Sequence, residues 1–298
     1  MRTSQKGSVR AELTQLQEET GLSLAYFYRS INIVRFVDRL VLPGKEILSV
    51  GQATGGDISP DGTEIAFLFW DSEGKTYVAI VRPDGSALQE YPQVSADAIC
   101  WSYDKSKLAM EVQNLKRGTT PPNDPLLMLN LGSGRTQEID VRAYVTSQCW
   151  SPNNKQLVYG TEHTVRLYDI EQNMWTVLAK GTEPTWSPDG NWIAFLDDDS
   201  YYAIRPSGED RRLLFKTRGA MSGLWWSPDS RIVAYASRNR RFEPPLIAVD
   251  VGSLRLRVKR LADGSEDWVA QLSDVYVPRF HWLKSINLAS RQSSKIVP

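Results

Sequence analysis

Histidine and cysteine are scarce in this 298-residue chain, with two of each, and neither sign of charge is in excess: 35 Lys and Arg against 35 Asp and Glu. Two scattered histidines, His163 and His281, cannot supply a histidine-rich metal centre or, without a partner motif, a nucleophilic triad. Two cysteines exclude a disulfide-dense scaffold. Zero net charge lacks the basic excess of a nucleic-acid or anionic-membrane binder, so neither partner is expected. No run of 18 apolar residues occurs, which excludes a spanning helix and membrane insertion. The stretch from Met1 to Thr20 is polar and has no apolar centre of the signal-peptide kind. A cytoplasmic location is therefore expected, with a periplasmic one the alternative if residues precede Met1. The sequence has no Gly-x-Ser-x-Gly, Cys-x-x-Cys or His-Glu-x-x-His pattern and no phosphate-cradling glycine loop.

Aromatics, by contrast, are plentiful, with 10 Trp and 12 Tyr, and they recur at fixed places. A lead residue followed by Ser-Pro-Asp-Gly or a variant occurs at Ile58, Trp101, Trp150, Trp186 and Trp226, and a degraded copy starts at Trp282. The intervals are 43, 49, 36, 40 and 56 residues, the range of four-stranded propeller blades with variable loops. Seven residues after the lead stand Ile65, Leu108, Leu157, Ile193 and Val233. The next position holds Ala66, Ala109, Val158, Ala194 and Ala234, and the one after it Phe67, Met110, Tyr159, Phe195 and Tyr235. Apolar runs either side of a Pro-Asp-Gly turn predict a hairpin. Consecutive apolar positions predict a second strand buried on both faces, as between neighbouring radial sheets. The small middle residue lets those sheets approach.

A second turn marks an outer hairpin at Arg82–Gly85, Gly132–Gly134 and Arg205–Gly208, with Pro43-Gly44 in the same slot. Residues 31–50 then read as outer strands, and the inner strands they need come from the segment starting at Trp282. The expected fold class is all-β: a single six-bladed propeller, residues 25–298, with one blade shared between the termini. Residues 1–24 form an extension. Val9, Leu13 and Leu16 share one helical face there, with Ser8 as N-cap and Gly21 as stop, so a short helix is expected.

The repeat resembles that of TolB-like six-bladed propellers, which is shared with the propeller domains of dipeptidyl peptidases, over residues 31–290. The resemblance implies a fold and not one chemistry. It implies a protein ligand, because TolB-like proteins dock a lipoprotein partner on the propeller. The peptidases add an α/β-hydrolase domain, for which no residues are left here. Sugar lyases of similar fold depend on a histidine-rich metal site, which this chain lacks.

Candidate residues follow from the faces of a blade. Repeat turns and outer hairpins share one face. Loops between second and third strands, and links between blades, share the other. That loop face receives Asp71, Glu162, His163, Asp197, Asp198, Asp199, Arg238, Arg240 and Arg241 as a partner-binding set. Asp57, Asp97, Gln148, Glu183 and Arg279 are expected at the channel mouth. The expected function is a non-enzymatic, monomeric scaffold binding a protein or peptide, with no cofactor and no catalytic residue. The alternative is an enzyme or small-ligand binder that holds a divalent cation such as Ca on Asp197, Asp198 and Asp199 through oxygen ligands. The arginines either bind an anionic partner or pair with those aspartates. His281, beside Trp282, reads as a core or channel-wall residue. Cys100 and Cys149 each precede a lead tryptophan, and adjacent inner strands usually lie too far apart for a disulfide, so both are expected to be free and buried.

Overall fold

Each repeat turn joins two antiparallel strands, and in the computed structural model these hairpins extend into six sheets. Side chains are described for residues 56–68, 77–82, 86–91, 96, 98–112, 125–141, 143, 145, 149–217, 223–236 and 257–267. Backbone strands are also described at 22–28, 33–38, 41–50, 53–58, 65–70, 76–81, 221–226, 232–238, 253–260, 266–273, 279–284 and 295–296. The chain opens with β1 (Leu22–Tyr28), β2 (Ile33–Asp38) and β3 (Val41–Val50). Blade 1 follows as β4 (Ala53–Ile58), β5 (Ile65–Trp70), β6 (Thr76–Val81) and β7 (Gln89–Tyr91). Blade 2 is β8 (Ala98–Trp101), β9 (Lys107–Glu111), β10 (Pro125–Asn130) and β11 (Thr136–Val141). Blade 3 has β12 (Gln156–Gly160), β13 (Thr164–Asp169) and β14 (Met174–Lys180). Its innermost position is an isolated bridge, Trp150 to Leu157. Blade 4 is β15 (Thr182–Trp186), β16 (Ile193–Asp197), β17 (Ser200–Ile204) and β18 (Arg212–Lys216). Blade 5 is β19 (Met221–Trp226), β20 (Ile232–Arg238), β21 (Ser253–Arg260) and β22 (Glu266–Ser273), and β23 (Arg279–Lys284) and β24 (Lys295–Ile296) end the chain.

The sixth sheet runs β23-β1-β2-β3-β24, so the two ends of the chain do share a blade. Its make-up differs from the expectation. Two strands, the innermost β23 and the short outermost β24, come from the C-terminal side, and the three between them, β1 to β3, come from the N-terminal side. The propeller also begins at Leu22 rather than at residue 25, because β1 starts there. The helix expected before it lies outside the described residues. Neighbouring blades meet near the axis around the ring: β4 lies against β8, β12 against β15, β15 against β19, β19 against β23, and β1 against β4.

Burial on both faces follows the consecutive apolar positions of the repeat, and the core divides by seam. One apolar cluster joins Ala66 and Leu68 of blade 1 to Trp101, Leu108 and Met110 of blade 2. The next joins Cys100 and Ala109 to Trp150, Leu157 and Tyr159. Two more join Val158 to Trp186, Ile193 and Phe195, and Ala194 to Trp226, Val233 and Tyr235. The outer two of each apolar triplet thus face the preceding blade, and the middle one faces the following blade. That middle residue meets a lead tryptophan and two large side chains, which is why it is small.

The turns are held by one repeated network. Serines 59, 102, 151, 187 and 227 are all buried. Each donates its Oγ–H to the carboxylate or amide oxygen two residues on: Asp61, Asp104, Asn153, Asp189 and Asp229, at 2.5–2.8 Å. The same Oγ accepts the backbone N–H five residues on, from Glu64, Lys107, Gln156, Trp192 and Ile232, at 2.9–3.0 Å. The fourth residue after the lead takes a left-handed φ in the five described copies: Gly62, Lys105, Asn154, Gly190 and Ser230. Glycine or asparagine suits that conformation best. Partial burial works to raise the Asp61 pKa, but hydrogen bonds from Lys105, Thr63 and Ser59 outweigh it and hold the carboxyl at about 2.

Removing the Ser227 hydroxyl strands the Ile232 N–H in a buried place. Ser227→Ala should cost about 1–3 kcal/mol, the usual penalty for an unsatisfied buried donor. Ser207→Ala, on an exposed outer turn, should stay within about 0.5 kcal/mol. Denaturant titration of the two variants checks this, and equal midpoints would contradict the network's role.

Candidate functional site

The loop face is described best at the seam between blades 3 and 4, where two tight loops stand beside one link. In the β12–β13 loop, Thr161 N donates to Thr164 O at 2.8 Å, and the two threonine hydroxyls meet at 2.7 Å. This closure turns Glu162 and His163 outward, with side chains 86% and 77% exposed and 3.6 Å apart. In the β16–β17 loop, Asp198 takes a left-handed φ of 53°, a conformation aspartate tolerates. Thr217, leaving blade 4, donates both its N–H and its Oγ–H to Asp199 O, at 2.6 and 2.8 Å. Ser200 Oγ donates to the Asp199 carboxylate.

The link Lys180–Gly181 ties the two loops together. Gly181 N donates to His163 O at 3.0 Å, while Lys180 Nζ lies 3.7 Å from Asp197 and 3.8 Å from Asp198. A Cβ at Gly181 would stand 2.6 Å from Leu196 O, and its φ is +141°, so only glycine fits this crossing. Arg211 reaches Asp197 at 2.6 Å with its guanidinium over the Tyr202 ring. Asp197 is thus largely enclosed between two cations, whereas Asp198, 84% exposed, faces water with only Lys180 near it.

The acidic run therefore meets Lys180 and Arg211, two partners that sequence reading missed. Lys180 is contiguous with the link on the same face, a signal that was legible. Arg211 follows an outer turn on the opposite face and reaches Asp197 by lying along the sheet, which only the folded packing reveals. The side chains of Arg238 and Arg279 are outside the described residues; their backbones end β20 and begin β23. Asp71, Asp97, Gln148, Arg240 and Arg241 also lie outside them. Among the described residues, no group of three or more His, Cys, Asp and Glu is arranged to hold a metal ion.

Two channel-mouth candidates prove to be seam residues. Asp57 is 2% exposed, and its Oδ2 accepts the Trp101 N–H at 3.1 Å across the blade 1–blade 2 seam. Trp101 Nε1 returns a hydrogen bond to Asp57 O at 3.2 Å. Glu183 Oε2 accepts Gly223 N at 3.0 Å and the Tyr201 hydroxyl at 3.2 Å, bridging blades 4 and 5. The expectation for the cysteines is overturned. Cys100 and Cys149, equivalent residues of blades 2 and 3, form a disulfide with Cα atoms 6.3 Å apart. Their seam is narrow because Ala109, Ala143 and Val145 pack around the pair.

Burial pushes the Glu183 pKa above its ordinary 4.5, against the hydrogen bonds from Gly223 and Tyr201 that favour the carboxylate. The folded protein then holds this proton more tightly than the unfolded chain does. Its contribution is fully present below pH 4.5 and is lost as pH rises from there through the raised value. Glu183→Gln keeps an acceptor for Gly223 and removes the titration. Relative to wild type it should gain stability as pH rises from 4 to 7, measured by denaturant titration at both values. A constant difference would contradict the assignment.

Comparison with known proteins agrees with this architecture. The family model for the WD domain, G-beta repeat, matches residues 137–169, from β11 to the end of β13. TolB from Acinetobacter baumannii superposes with a TM-score of 0.64 at 14% identity, over 89% of this chain and 69% of that one. A putative TolB from Agrobacterium tumefaciens gives 0.59 at 16% identity, over 88% of this chain and 98% of that one. An oligogalacturonate lyase in complex with manganese gives 0.58 at 14% identity, over 84% and 78%. At such identities the likeness concerns the fold alone. The chain has the fold of a TolB-like β-propeller.

Proposed function

We propose that this propeller is a non-enzymatic scaffold that binds a protein or peptide through its loop face, at the seam between blades 3 and 4. One observation carries the reading: exposed charge stands on backbone that is already ordered. Glu162, His163 and Asp198 face water, while Thr161, Gly181 and Thr217 fix the loops that carry them. A ligand recognised there loses little protein entropy on binding. The partner that fits is a segment bearing lysine or arginine, because Glu162 and Asp198 offer the least-engaged carboxylates at this seam. Asp197, held by Arg211 and Lys180, serves as the support beneath them. His163 lies in water beside Glu162 rather than in a dry cleft, which suits recognition better than general-base chemistry. The bonded cysteine pair further supports residence in an oxidising compartment, in line with the periplasmic alternative.

A photo-crosslinking side chain placed at position 162 or 163 should give a discrete adduct with the partner in source-cell extract. The same group at Lys155, exposed on the turn face, should give none. Introducing Glu162→Lys with Asp198→Asn into the position-163 probe should abolish the adduct, and added salt should weaken it. Identical adducts from both faces, or capture indifferent to the charge change, would refute the reading.

A further inference from the structure

The residue before each lead position sits at a seam, and neighbouring blades use it differently. Between blades 1 and 2, Asp57 Oδ2 accepts the N–H of Trp101, and the Trp101 indole donates to Asp57 O. Between blades 2 and 3 the indole bond is kept: Trp150 Nε1 donates to Cys100 O at 3.1 Å. The carboxylate tie is replaced by the Cys100–Cys149 disulfide, with Cys149 N donating to Cys100 Sγ at 3.1 Å. The covalent tie joins Cys100, in the inner strand of blade 2, to Cys149, directly ahead of the innermost bridge of blade 3. The inner strands of blades 1, 2, 4 and 5 run in register with their neighbours over several residues. In blade 3 the described inner pairing is the single bridge of Trp150 to Leu157, joined by Val158 N donating to Cys149 O at 2.7 Å.

We infer that the Cys100–Cys149 disulfide is a redox latch for the blade 2–blade 3 seam, closing it on oxidation and loosening it, and no other seam, on reduction. Reduction breaks the S–S bond. A dithiol gives two electrons and its two protons and ends as a disulfide. A phosphine gives two electrons and ends as the phosphine oxide, with water supplying the oxygen and both protons. Either way a pair of thiols is left. The sulfurs then pass from a bonded separation of about 2 Å to a van der Waals contact of about 3.5–4 Å. Both cysteines are fully buried among Ala109, Leu126, Ala143, Val145 and Trp150, with no slack to absorb that displacement. The inner end of the seam, where the two sulfurs lie, yields first. The outer half of the seam is tied separately. Asp140 of blade 2 accepts Tyr159 Oη at 2.7 Å and Arg166 at 2.6 Å, both from blade 3, and Gln137 donates to Tyr168 Oη at 3.0 Å. Opening therefore hinges at the rim and widens toward the channel.

The experiment compares protein equilibrated with oxidised glutathione before and after treatment with a phosphine reductant. After oxidation, denatured protein should take up no iodoacetamide, and after reduction it should take up two equivalents. Amide hydrogen exchange should then quicken by roughly tenfold or more in 98–101, 149–150 and 156–160. Residues 193–197 and 232–236 should keep their protection. The Cys100→Ala, Cys149→Ala double variant should reproduce the reduced pattern without reductant; reduction of the wild type serves by itself if that variant does not fold. Alkylatable thiols after oxidation, unchanged exchange at the seam, or equal loss in all blades would overturn the latch.

Discussion

Blades 2 to 5 each depend on the contact that the lead residue makes with the blade before it. Trp101, Trp150, Trp186 and Trp226 are buried between sheets, and each meets the small middle residue of the preceding second strand or its neighbours. For Trp101 and Trp150 the indole N–H also bonds the carbonyl one residue before the previous lead. A radial sheet has no core of its own, so this seam supplies both the apolar burial and the register between blades. The buried serine of each turn holds the lead residue at a fixed height, because it locks the backbone immediately after it. Stability is then a chain of nearest-neighbour terms. Pairing of β23 with β1 closes the ring and covers the inner edge of β1.

Departures from the repeat gather in blade 3. Its described inner pairing is the Trp150 to Leu157 bridge, beside Val158 N donating to Cys149 O. The Trp186 indole N–H has no hydrogen-bond partner among the described residues. The disulfide lies at the same place, and the blade's other end carries the Glu162–His163 loop. Proposed ligand contacts and redox latch thus occupy the two seams of one blade. An opening on the blade 2 side would be transmitted to the loop face through β12 and β13, whose pairing runs without a register shift.

Charge shows how a flat reading of sequence differs from a folded one. The run Asp197–Asp199 reads as three equivalent carboxylates. In the fold, Asp197 lies between Arg211 and Lys180, Asp198 stands in water, and Asp199 uses its carbonyl to anchor Thr217. Glu183 and Asp57 read as mouth residues because the links between blades share the loop face. Each instead turns its carboxylate across a seam, Asp57 to Trp101 N–H and Glu183 to Gly223 N–H. A buried carboxylate close to another blade's free N–H is stabilised by it, whatever face its backbone begins on.

The spacing of Ser-Pro-Asp-Gly turns, the apolar triplets and the slots of the outer hairpins were enough, by themselves, to determine an all-β propeller with a blade shared between the chain ends. These are local signals: turn chemistry and runs of consecutive apolar residues act over short stretches, so they are written in the chain. Tertiary structure decided the rest. It took three strands of the shared blade from the N-terminal side, joined Cys100 to Cys149 across a narrowed seam, and brought Arg211 along the sheet to Asp197. Each of these depends on a distance between residues far apart in sequence or on opposite faces. Such distances are set by side-chain volumes packed between neighbouring blades, which no single repeat specifies.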